Sequence, residues 1–94
     1  MSMYMLVSVF DNDIYTEQFN SFDKARSRMI SELKDELFVC NCSGLFKKIE
    51  SYESYEYDYD SYSFTFDKYC AASDVDGYCC NWRIVEVSFG AKYY

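Results

Sequence analysis

"YESYEYDYDSYSFTF", Tyr52 to Phe66, decides the fold. Tyr occupies 55, 57 and 59, and acids occupy 56, 58 and 60. A strand places two such sets on opposite faces. Tyr55, Tyr57 and Tyr59 then cover a core while Glu56, Asp58 and Asp60 face water. After Asp60 the phase shifts, with Tyr62, Phe64 and Phe66 at even positions. That shift fits a bulge or tight turn at Asp60-Ser61. Tyr52, Tyr55, Tyr59 and Tyr62 also repeat at helical spacing. The density of aromatics favours the strand.

Upstream, Tyr4 to Phe10 (YMLVSVF) reads as a strand, Asp11-Asn12-Asp13 as a turn, and Ile14 to Phe19 as the returning strand. The three make an N-terminal hairpin. Asn20 or Ser21 caps a helix over residues 21–38, and Asn20 with Asp23 resembles a capping box. Phe22, Ala25, Met29, Leu33 and Leu37 follow at helical spacing, with charges mostly opposite. Val39 to Gly44 ends the helix, and Leu45 to Ile49 is ambiguous. Downstream, Ser61 to Tyr69 reads as a strand and Ala71 to Gly77 as a loop. Trp82 to Phe89 reads as a last, nearly buried strand, and Gly90 to Tyr94 as a tail. The expected architecture is a single α+β domain over residues 1–94. It is an antiparallel β-sheet of about four to five strands, order β-β-α-β-β-β, with one amphipathic helix packed on a face.

Ninety-four residues bury roughly 60–65% of their unfolded surface, so the core is modest. Eleven Tyr, eight Phe and one Trp argue against disorder. The net charge is −7, and residues 49–94 carry nine acids against three bases. This asymmetry points to a basic partner and away from direct binding to nucleic acid or to an anionic membrane. No basic leader and no apolar run of ~20 residues is visible, and the five Cys are odd in number. Reduced thiols in a cytoplasm are the expectation.

Catalytic groups are scarce. The chain has no His and three Gly, so neither an imidazole base nor a glycine-rich phosphate loop is at hand. Cys40-x-Cys42, the adjacent Cys79 and Cys80, and the separate Cys70 lack the usual spacing of zinc ligands. Asp11/Asp13 and Asp74/Asp76 are D-x-D pairs outside a calcium-loop pattern. No enzyme activity, cofactor or metal is expected.

The acidic row is the candidate site: Glu53, Tyr55, Glu56, Tyr57, Asp58, Tyr59 and Asp60, with Asp74 and Asp76 nearby in sequence. Alternate strand carboxylates advance ~6.8 Å, a pitch close to that of successive phosphates on a nucleic-acid strand. Tyr adds aromatic faces for Arg. The competing reading is a solvated strand face that blocks edge aggregation.

"VFDNDIYTEQFNSFDKARSRM" (Val9 to Met29) and "NWRIVEV" (Asn81 to Val87) resemble the small acidic proteins encoded by phages and prophages of gut Firmicutes. Within that group are the anti-CRISPR and related anti-defence inhibitors. The resemblance implies a stoichiometric inhibitor in the bacterial host cytoplasm. Its partner would be the basic DNA- or PAM-reading groove of a CRISPR nuclease. The alternative is a regulatory or scaffolding module, antitoxin-like or a phage accessory protein, whose partner does not bind nucleic acid.

Overall fold

Tyr4, Val7, Val9 and Phe10 are strong strand formers within a mostly apolar run, and they lie in β1, Ser2–Phe10. A computed structural model describes residues 2–37, 52–59 and 62–88. The further elements are β2 (Asp13–Phe19), α1 (Phe22–Leu37), β3 (Tyr55–Tyr59), β4 (Tyr62–Phe66), β5 (Cys70–Val75) and β6 (Tyr78–Ser88). The six strands make one antiparallel sheet in the order β2-β1-β6-β5-β4-β3. The chain builds a hairpin at one edge, crosses by α1 to the far edge, and returns as a four-stranded meander that docks on β1.

The α+β class, the N-terminal hairpin and the helix agree with the sequence reading. Two expectations change. Ala71 to Gly77 is not a loop, because Cys70–Val75 is a strand. Only Asp76 and Gly77 turn, with φ of 54° and 87°. Positive φ at both central residues marks the type I′ hairpin that Asp-Gly favours. The strand count therefore rises to six. The last strand is also not buried on both faces. Trp82 and Ile84 are buried, whereas Arg83, Val85 and Glu86 are exposed.

The helix starts where its cap is made. Ser21 Oγ accepts a hydrogen bond from the Lys24 amide at 3.2 Å, satisfying one of the donors that a helix start leaves free. Asp23 in the first turn and Lys34 in the last suit the helix dipole. Ala25, Met29, Leu33 and Leu37 are fully buried against Leu6, Phe64, Phe66, Ala71, Cys80, Trp82 and Ile84. Arg26, one turn into the helix, ties it to the chain beside β3 and β4. Its Nη2 donates to the carbonyls of Glu53 and Asp67, at 3.2 Å each, and its guanidinium lies over the Phe66 ring. Leu33→Ala and Met29→Ala should each destabilise the chain by about 2–4 kcal/mol. Unchanged denaturation midpoints for both would contradict this packing.

The tyrosine stretch is a strand. Tyr57 pairs with Phe64 and Tyr59 with Tyr62, so odd positions of β3 share a face with even positions of β4. The phase change is thus the ordinary parity of a hairpin register. The turn or bulge expected at Asp60-Ser61 lies outside the described residues. So do the helix end at Val39 to Gly44, the Leu45 to Ile49 segment and the Gly90 to Tyr94 tail.

Candidate functional site

α1 covers one face of the sheet, and no described element packs on the other, called the open face below. On the covered side lie Tyr4, Leu6, Ser8 and Phe10 of β1, Cys80, Trp82 and Ile84 of β6, and Ala71 and Ser73 of β5. Strand alternation and register place Glu56, Asp58, Ser63, Thr65, Ala72, Asp74, Cys79, Asn81 and Arg83 on the open side.

The open side is concave. One hollow of about 390 Å³ touches Glu56, Asp58, Asp74 and Cys79. A second of about 340 Å³ touches Val7, Val9, Cys70 and Arg83. They share Thr65, Ala72 and Asn81, so together they form one trough across the strands. Small side chains make its floor, and sheet twist supplies curvature.

The fold brings three of the candidate acids together on this face. Glu56 and Asp58 are exposed two residues apart on β3, ~6.8 Å along the strand. Asp58 pairs with Ser63, which pairs with Asp74, so Asp58 and Asp74 are two strand spacings apart, ~9.6 Å. Neither the Glu56 nor the Asp58 side chain has a hydrogen bond or ion pair to a described residue. Asp74 is partly committed, because its Oδ1 accepts the Gly77 amide at 2.9 Å and braces the turn. Asp76 sits exposed in that turn.

Of the other candidates, only Tyr57 lines the acidic hollow, between Glu56 and Asp58. Glu53 precedes β3, and its carbonyl is held by Arg26. Tyr55 and Tyr57 turn toward the core, half-buried and stacked on Phe64 at centroid distances of 6.2 and 5.3 Å. Tyr59 closes β3 opposite Tyr62, and Asp60 lies outside the described residues. The aromatic and acidic sets thus part to opposite faces, and the phenols of Tyr55 and Tyr57 do not accompany the carboxylates.

Sequence reading missed the apolar half of the open face. Met3, Met5, Val7 and Val9 alternate with the core-facing residues of β1. Val85 and Val87 do so on β6, and Ile14 on β2. The signal was present: YMLVSVF is nearly continuous rather than alternating, as expected for a strand with apolar contacts on both faces.

Polar groups between helix and sheet are structural. Glu32 Oε1 accepts from Trp82 Nε1 at 2.9 Å and from the Ser8 hydroxyl at 3.3 Å. The Cys80 thiol donates to Glu36 Oε1 at 3.5 Å. Burial, followed by the Glu36 charge, pushes the Cys80 thiol up to about 12, which leaves it protonated and inert at neutral pH. Exposed Cys79 is also raised, by desolvation and by Asp74. Among the described residues no three His, Cys, Asp or Glu side chains converge as metal ligands, while Cys40 and Cys42 lie outside them. No described helix is long and apolar enough to cross a membrane. Compared with protein-family models, with curated proteins and with solved structures, the chain has no match in any of the three.

Proposed function

We propose that this chain is an acidic, non-enzymatic inhibitor that occupies a basic nucleic-acid-binding surface of a bacterial defence nuclease, with a CRISPR effector as the first candidate. One observation carries the reading: Glu56, Asp58 and Asp74 share a concave sheet face that α1 does not cover. Carboxylates at ~6.8 and ~9.6 Å fall within the range over which a Lys/Arg groove meets phosphates. Glu56 and Asp58 are not tied up by the described fold, so they are available to a partner. Mutual repulsion of exposed carboxylates at this spacing is a fraction of a kcal/mol at physiological salt, which the fold tolerates.

The test is a titration of parent and Glu56→Gln/Asp58→Asn against purified RNA-guided nucleases at low and physiological salt. The double variant should keep its fold and melt at or slightly above the parent. Its affinity should fall by about 1–3 kcal/mol for each well-placed charge-assisted contact, and its salt dependence should flatten. Equal affinity of both proteins at both salts would leave this face a solvated one. The apolar half of the same face favours a second reading, a regulatory or scaffolding module. Recovery of a partner that does not bind nucleic acid would select it.

A further inference from the structure

We infer that the trough is a two-part docking surface, acidic toward β3 and apolar toward β1, and that it takes a helix of a partner protein whose contacting face is basic toward one end and aliphatic toward the other. The inference rests on the reading of Glu56 and Asp58 as partner contacts, and adds the apolar half and the partner's class.

The open face departs from what a solvated sheet face carries. Such a face ordinarily shows polar residues in alternation with the core. Here Met5, Val7, Val9, Ile14 and Val85 cluster on it. Ile14 is 69% exposed and Val85 41%. Met5, Val7 and Val9 between them are half-buried, and a contiguous, partly exposed aliphatic patch next to polar residues marks an interaction surface.

Length and shape fit a helix. From β1 to β3 the trough crosses β6, β5 and β4, four strand spacings or ~19 Å. At 1.5 Å per residue that spans about 13 residues of a helix about 10 Å across. Ser63, Thr65 and Ala72 leave room for it along the floor.

Charge sets the orientation and the class. Glu56, Asp58 and Asp74 call for Lys or Arg at one end. Arg83 lies on the same face, between Val7 and Cys70, so a uniformly cationic ligand running the whole trough meets like charge there. The ligand must therefore segregate its bases from its aliphatic residues. A phosphate-lined ligand is opposed at the acidic end by its sign.

The test uses the isotope-labelled full chain and two peptides of about 13 residues and equal charge. On the face that meets the trough, one carries Lys in one half and Leu in the other; the control has Gln in place of Leu. The Leu peptide should bind ~10-fold or more tightly than the control. It should shift the amides of Val7, Val9 and Val85 together with those of Glu56 and Asp58. Val9→Thr/Val85→Thr should bring its affinity down to that of the control and leave the control unchanged. Equal affinity of the two peptides, with shifts only around Glu56 and Asp58, would overturn the inference and leave the charge-based function standing. No shift around the acids with either peptide would remove both. Concentration-dependent self-association abolished by Val9→Thr/Val85→Thr would make the occupant a second copy and overturn the inference. A lower melting temperature of that variant with peptide affinity intact would show the face to be covered by the chain's own residues, with the same consequence.

Discussion

Trp82→Ala is expected to cost about 3–5 kcal/mol in cavity and transfer terms, plus about 1 kcal/mol for the lost hydrogen bond. Trp82 is the largest of the fully buried side chains. Its register neighbours are Ser8 on β1 and Ala71 on β5, and these small side chains make the space the indole fills. Its ring meets Phe10 edge-on at 5.6 Å, a geometry aromatic pairs prefer. Its Nε1 holds Glu32 of α1, so the residue joins sheet to helix. A domain of this size has about 5–15 kcal/mol in all, and the loss should lower its melting temperature by on the order of 15–30 °C. Trp82→Phe should fall between, because it keeps most of the apolar volume and lacks the donor. Among the described residues Glu32 then retains the Ser8 hydroxyl. Urea denaturation of the three proteins checks the order. A midpoint for Trp82→Ala equal to the parent's would contradict the placement of the indole.

How far the fold was legible in the sequence depends on whether local pattern or tertiary position decided each element. The helix was legible because Ala25, Met29, Leu33 and Leu37 repeat every four residues, and all four are buried. β3 was legible because Tyr and acid alternate, and a period of two belongs to a strand. β5 was not. Cys70–Val75 is built largely from Ala, Ser and Asp, which are weak strand formers. It is a strand because it lies between β4 and β6 in the sheet and under α1. Ala71 and Ser73 are buried there, and small side chains let the helix approach. The position overrode the propensity. The Asp76-Gly77 turn that follows carried its own local signal, a two-residue Asp-Gly hairpin.

The candidate site divides along the same line. The separation of Glu56 and Asp58 from Tyr55 and Tyr57 follows from alternation along one strand. The approach of Asp74 to Asp58 does not, since it depends on two ladder registers. Nor does the apolar half of the face. Val9 and Val85 share it only because β1 and β6, the first and last described strands, are neighbours in the sheet. Acid and aliphatic halves come from distant parts of the chain, and closing the meander on β1 sets them side by side.

Alkaline pH should destabilise the chain through Cys80. The thiol is fully buried, and Glu36 from α1 accepts its hydrogen bond. Burial first, and the Glu36 carboxylate second, raise it from an ordinary 9.0 to about 12. The folded state therefore holds this proton more tightly than the unfolded chain. Its stabilising effect is complete below pH 9, where both states are protonated. It declines as pH rises from 9 toward 12, where only the unfolded thiol ionises. The slope from this group is at most ~1.4 kcal/mol per pH unit. Tyr78 and Cys79 shift in the same direction, but both are exposed, and water and salt screen their contribution. Cys80→Ser keeps a donor for Glu36 and removes the ionisation, at a cost of about 1 kcal/mol at neutral pH for the buried hydroxyl. Denaturation midpoints under reductant should fall steeply with pH in the parent above pH 9 and clearly less in Cys80→Ser. Parallel slopes in the two proteins would mean that the thiol titrates normally and is not sealed beneath α1. The same burial makes Cys80 slow to alkylate in the folded chain at mildly alkaline pH, with exposed Cys79 modified ahead of it.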